Sequence, residues 1–389
     1  MASFLALDLS TGPDLLAAPK SVPGRILLKP VAGVDEEELH GLFRRHGAVQ
    51  TDKMGAINVR ILKVPEPARA KVLEALQHHP HIQFAESDQI VAPQLVPSDP
   101  WFDSQWHLAA VQAPQAWDIT TGDGGVIIAV LDTGVDASHP DLAPNLVPGW
   151  NIYEDNSDTS DVYGHGTEVA GTAGAAGDNT IGVASVAFNC RVMPVRVSQE
   201  DGMASYSAIA AGLTYAADHG ARVANISYMV TDSSTVTSAA QYFESKGGVT
   251  VVAAGNEGAF DSSADNPYVL TVSATGPDDV LTSWSCTGNN IDLAAPGRGI
   301  WNTTRGGGYG AGSGTSFSAP IVAAAAALVI SANPSLSGTQ VQDILKQSAD
   351  DLGTPGWDAG YGWGRVNAYQ AVVAAMNTPP ADMPPPENP

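Results

Sequence analysis

Five short apolar runs, at 126–131, 192–197, 222–226, 249–254 and 269–273, are rich in Val, Ile and Ala and end in Gly, Asn, Asp or Ser. They are nearly continuous rather than alternating, the pattern of strands covered on both faces. Between and after them lie segments near 166–176, 206–218, 235–245 and 316–331 whose composition and periodicity predict helices. Strand and helix alternating in this way predict an α/β domain, a parallel sheet with helices on both faces. In such open sheets, function collects at the carboxyl ends of the strands.

The first 95 residues follow a different pattern. A strand at 25–30, a helix at 35–46 opened by acidic residues, a strand at 57–64, a helix at 66–77 and a strand at 82–91 make a β-α-β-α-β order. That order suits a small α+β ferredoxin-like plait. The predicted organisation is an N-terminal extension without order at 1–23, the plait at 24–95, the large α/β domain at 96–376 and a proline-rich, extended tail at 377–389.

Charge divides the chain at the same place. Residues 1–96 hold 11 acidic and 10 basic side chains, whereas 97–389 hold 30 and 8, and the whole chain carries a net charge of −23. Such a surface excludes nucleic acid and anionic membrane as partners. It suits solubility in salt or calcium binding, simple solubility being the plainer of the two. The longest charge-free apolar run, at 319–330, is too short and too alanine-rich to cross a bilayer. No secretory signal is visible before Gly24, because a basic first segment is lacking and Asp8 interrupts the first apolar stretch. Cys190 and Cys286 could form one disulfide or remain two buried thiols, and thiols are the favoured reading; their spacing excludes a zinc ribbon or a thioredoxin-like site.

The candidate chemistry lies at strand ends and helix starts. The run 126–131 ends in Asp132-Thr133-Gly134, Gly164-His165-Gly166-Thr167 opens a small-residue helix, and Gly314-Thr315-Ser316 opens the buried apolar helix. A serine hydroxyl is a poor nucleophile until a base takes its proton, and an imidazole does this best when a carboxylate orients it. A helix N-terminus favours the negative charge that then develops. Each short motif is common as an ordinary turn; the three in the order Asp, His, Ser are not. Asn256 follows the run 249–254 between glycines and offers an amide donor for an oxyanion.

On these motifs the chain resembles the subtilisin-like serine proteases, closest to their thermitase-like branch, over roughly 97–375. The resemblance implies a subtilisin-like fold and a serine endopeptidase in which Asp132 orients, His165 is base and acid, Ser316 is the nucleophile and Asn256 is an oxyanion donor. It implies that the N-terminal plait is a propeptide, chaperone and intramolecular inhibitor, removed by self-cleavage within about 91–97. It also implies protein or peptide substrates, secretion and a monomer. The same likeness suggests a structural calcium ion held by Asp99, Asp141 and Asn179, with carbonyls of Gly177, Ile181 and Val183 completing the set, although the loop is about one residue longer than the family pattern. The acidic loop 154–161 is a second calcium candidate or a solvated loop.

Departures fall on the substrate edge. The residues Ser227, Tyr228, Met229, Ala253 and Gly255 are those expected to line it, and Met229 brings a side chain where the family usually has glycine, narrowing an S1 or S4 pocket. The stretch 257–268 is shorter than the family pattern. Glu168 replaces a more usual histidine, at a position not required to face the cleft. Two rivals stand against the protease: a catalytically silent peptide binder, and a nucleotide binder drawn from the glycine run 306–314, which lacks a phosphate-loop lysine. His78, His79 and His81 are read as an exposed turn, with a pH-sensing role in maturation as the alternative.

Overall fold

The computed structural model describes residues 21–90, 95–230 and 232–380. It divides into two compact units, Met1–Pro93 and Gln94–Pro389.

In the first unit four strands form an antiparallel sheet in the order Val49–Met54, Val59–Lys63, Ser21–Pro30, Ile82–Gln89, with helices Glu36–Arg45 and Arg69–Gln77 between them in the chain. This is the ferredoxin-like β-α-β-β-α-β order, one strand richer than the sequence pattern suggested. The additional strand, Val49–Met54, has no apolar alternation to betray it, since all its residues except Gln50 are exposed and it pairs at the sheet's edge. Ile26, Leu28, Leu39, Phe43, Leu62 and Leu76 fill the core beneath the sheet. Asp35 caps the first helix by accepting the Glu37 N–H at 2.7 Å. Of the predicted N-terminal extension, 1–20 lies outside the described residues, whereas 21–23 already belong to the first strand, where Ser21 pairs with Gln89.

In the second unit seven strands form an all-parallel sheet in the order Leu293–Pro296, Val269–Thr275, Val249–Ala253, Val223–Ile226, Ile127–Asp132, Arg191–Arg196, Trp150–Asn151. The five inner strands are those expected. The two edges escaped the pattern because one is two residues long and the other is Leu-Ala-Ala-Pro, weak in β-formers. Separate apolar clusters cover the two faces of the sheet: Thr315–Ala332 packs in one, and the helices Tyr206–Asp218 and Ser234–Ser245 pack in the other. Thr315–Ala332 has the length and composition of a membrane span, yet 89% of it is buried inside the unit, so its apolarity serves the core. The glycine run 306–314 contributes to an antiparallel hairpin, Ile300–Thr304 with Gly308–Gly312, that leads directly to this helix. Both cysteines are buried free thiols. The last helix ends at Asn377, and Asn333 Nδ2 holds the Thr378 carbonyl at 2.9 Å; of the predicted tail, 381–389 lies outside the described residues.

Candidate active site

Asp132 is the last residue of the central strand Ile127–Asp132 and is wholly buried. Its Oδ1 accepts the Thr133 N–H at 2.7 Å and lies 2.8 Å from His165 Nδ1. A carboxylate only accepts, so Nδ1 carries the proton of the neutral ring and the lone pair falls on Nε2. His165 is the first residue of the helix His165–Gly174. The helix can begin this close to the strand because residue 166 is glycine: a Cβ there would lie 2.1 Å from the Gly134 carbonyl oxygen.

Burial depresses the basicity of His165, but the charge and hydrogen bond of Asp132, assisted by Glu168 and Asp161, outweigh it and raise the pKa to about 9. Glu168 is therefore not remote from the site. Residues three apart share a helix face, and burial holds its own carboxyl above the usual range.

Ser316 is the second residue of the helix Thr315–Ala332, and its N–H makes no hydrogen bond among the described residues, as befits the first turn of a helix. Its hydroxyl makes a long bond to the Ser227 carbonyl, 3.4 Å, and Ser227 Oγ donates back to the Ser316 carbonyl at 3.0 Å while accepting from Asn225 Nδ2. Phe317, the next residue, has its ring centroid 6.3 Å from that of His165, which brings the imidazole to the start of the serine helix. Asn256 Oδ1 accepts both the Thr315 N–H at 2.8 Å and the Thr315 hydroxyl at 3.1 Å. Those two donors identify the oxygen and leave Nδ2 as a donor.

The residues expected to line a substrate edge are placed as follows. Ala253 ends its strand, and Met229 Sδ, Glu257 Oε2 and Cys286 Sγ crowd Gly255. Met229 remains 49% exposed. The Tyr228 hydroxyl donates to the Gly202 carbonyl at 3.0 Å.

Asp99, Asp141 and Asn179 are brought together by the loop after the histidine helix. Asp99 Oδ2 accepts the Asp178 N–H at 2.6 Å, and Asp141 accepts Asn179 Nδ2 at 2.9 Å and the Val183 N–H at 2.9 Å. Gly182 closes the loop: a Cβ there would lie 1.9 Å from Asp141 Oδ2. Asp99 Oδ1 is buried without a hydrogen-bond partner, and burial raises the pKa of both carboxyls. The carbonyls of Gly177, Ile181 and Val183 carry no hydrogen bond among the described residues. Among the described residues no three of His, Cys, Asp or Glu converge as metal ligands, either around Asp99 and Asp141 or in the acidic loop 154–161.

Sequence reasoning missed the role of Asp161, which it placed in that acidic loop. The carboxylate is buried and bonded to the helix that begins at His165. The sequence held no local signal for it, because Asp161 lies three residues before the N-cap, Gly164, outside the usual capping position.

Residues 123–364 match the subtilase family model. The chain is 33% identical over 358 residues to a thermophilic serine proteinase of Bacillus sp. (strain AK1), covering 90% of this chain and 88% of that protein. It is 40% identical over 280 residues to thermitase of Thermoactinomyces vulgaris, covering 71% of this chain and 99% of thermitase. A solved protease of Pseudoalteromonas arctica PAMC 21717 shares its fold with a TM-score of 0.67 at 33% identity, covering 72% of this chain and 100% of its own. The parallel α/β sheet and these matches define a serine endopeptidase of the subtilisin type. The chain belongs to the subtilase family.

Proposed function

We propose that the protein is a zymogen that cleaves itself and then hydrolyses peptide bonds of protein substrates through an acyl-enzyme. The observation carrying this reading is the 2.8 Å bond from His165 Nδ1 to Asp132 at the strand end, with Ser316 at the neighbouring helix start. His165 Nε2 takes the Ser316 proton as Oγ attacks the scissile carbonyl, and later returns it to the leaving amine. Asp132 holds the tautomer and steadies the imidazolium. The Ser316 N–H and Asn256 Nδ2 receive the oxyanion.

The N-terminal unit is assigned as the propeptide. It is a compact body of its own, nearly neutral beside a strongly acidic partner sequence. The assignment extends to cleavage within 91–97, of which Val91–Gln94 lie outside the described residues. By family resemblance the mature enzyme is a secreted monomer.

The Asp99–Asp141 pair fits a calcium ion. Both carboxylates are buried, Asp141 bears electrostatically on Asp99, Asp99 keeps an oxygen without a hydrogen-bond partner, and hard oxygen donors are what calcium selects. When bound, the ion would offset their mutual repulsion and stiffen the loop around Asn179.

Intact mass of the purified chain in calcium, followed over time beside a Ser316→Ala control, tests the whole reading. Loss of roughly the first 95 residues in the parent alone is expected. A parent that stays whole, and gives no burst of acyl-enzyme with an activated ester, would sink it.

A further inference from the structure

We infer that Asp161 is a positioning residue for the Asp132–His165 pair, its carboxylate clamping the strand end that carries one to the helix start that carries the other; the inference rests on the triad reading above. Asp161 Oδ1 accepts the Thr133 hydroxyl at 2.8 Å, the Gly164 N–H at 2.7 Å and the Tyr163 N–H at 3.1 Å. Oδ2 accepts the Thr167 N–H at 2.8 Å and the Thr167 hydroxyl. Five donors thus converge on one buried carboxylate, about the full capacity of its lone pairs.

Their origins matter more than their number. Thr133 is covalently next to Asp132, and Gly164 and Thr167 flank His165, so a single side chain is bonded to both halves of the catalytic pair. The Thr133 hydroxyl is itself bifunctional: it accepts the Gly166 N–H at 2.8 Å and therefore points its proton at Asp161. Thr167 extends the tie, its hydroxyl accepting the Asp136 N–H at 3.0 Å from the loop beyond Gly134. Together these bonds fix the distance between the Asp132 carboxylate and the ring of His165 without touching the substrate or the reacting atoms. A carboxylate is required because all five partners donate, and an amide in its place would turn an N–H₂ toward donors on one side. The charge also acts on the imidazole together with Asp132 and Glu168. An oxygen set so fully used has nothing left for a cation, which separates Asp161 from the metal candidates of its loop.

The test uses the full chain, with kcat and KM measured separately on a chromogenic peptide, and the proton on His165 Nδ1 followed by NMR in a Ser316→Ala background. Asp161→Asn is expected to lower kcat by about tenfold to a hundredfold with KM nearly unchanged, the scale of a misplaced catalytic group. It should also move the Nδ1 proton resonance upfield and broaden it. Should Asp161→Asn fail to fold, Thr133→Val, which removes one hydroxyl, is expected to move both readouts in the same direction, and Thr133→Ser to recover them. Unchanged kcat and an unchanged Nδ1 resonance in folded Asp161→Asn or Thr133→Val would overturn the inference, as would a loss confined to KM. If Asp132→Asn kept full activity, the triad reading itself would fall; if Asp132→Asn were inactive and the Asp161 and Thr133 variants were not, only this inference would.

Discussion

Asn256 and Thr315 are joined twice, through the backbone N–H and the hydroxyl of the threonine, both donating to the amide oxygen of the asparagine. The pairing orients the amide from the residue just before Ser316, so that the proposed oxyanion donor and the proposed nucleophile move as one body. Thr315 Oγ1 also accepts the Gly255 N–H at 3.1 Å, tying the loop of Asn256 to the same point. Replacing Asn256 by Leu is expected to lower kcat by about 100- to 1,000-fold with little change in KM; this magnitude is the one known for the same donor in subtilisin, a member of this family, and is not obtained from the present structure. Thr315→Val keeps the N–H but loses the hydroxyl, and should cost less than Asn256→Leu. Steady-state kinetics of both variants check the order, and equal losses would contradict the second half of the pairing.

Activity and stability should respond to pH in opposite directions. In the proposed mechanism the neutral imidazole is the base; burial lowers the pKa of His165 but the Asp132 charge outweighs it and raises it to about 9, so kcat/KM is expected to climb from neutral into alkaline pH. A histidine whose folded pKa lies above its unfolded value binds its proton more tightly in the native state. Its contribution to stability is complete below about pH 6.5 and is lost as pH rises toward 9. Thermal melts of Ser316→Ala and of Ser316→Ala with His165→Ala, compared across that window, should converge as pH rises. A constant gap would remove the ion pair from the account.

Chelation should weaken the second unit. With calcium bound to the folded chain only, its removal lowers the melting temperature by mass action. In EDTA the midpoint of Ser316→Ala is expected to fall by several degrees, on the order of one to two kcal/mol for a unit of this size. Asp99→Asn, which discharges the carboxyl carrying the orphaned Oδ1, should make the melt insensitive to chelator. An unchanged melt in the parent would remove the calcium site.

Met229 is expected to set the upper size of an accepted side chain. It is half exposed and lies against Gly255, where the proposed substrate edge falls. Met229→Gly should raise kcat/KM for peptides with a large aromatic residue on the acyl side by about tenfold relative to alanine, the worth of a few methylene contacts. A library of chromogenic peptides reads this ratio, and an unaltered preference would place the side chain outside the pocket.

The parts that sequence alone determined are those governed by local chemistry. The five inner strands are continuous apolar runs because both their faces are buried, and that property is written residue by residue. The same holds for the helix starts at His165 and Ser316, where glycine and small residues have no other use as good. These local patterns marked out Asp132, His165, Ser316 and Asn256, and the resemblance to the subtilisin-like proteases, carried by the order Asp, His, Ser, gave them their expected roles. Tertiary structure decided what depends on partners far away in the chain. The edge strand Val49–Met54 has almost no buried face and so left no pattern. The glycine run 306–314 became half of a hairpin because strand Ile300–Thr304 was there to pair with it. Asp161 looked like one more acid in a solvated loop until Thr133, 28 residues upstream, and Thr167 closed around it. A carboxylate reads the same in a sequence whether water or five protein donors surround it, and only folding determines which.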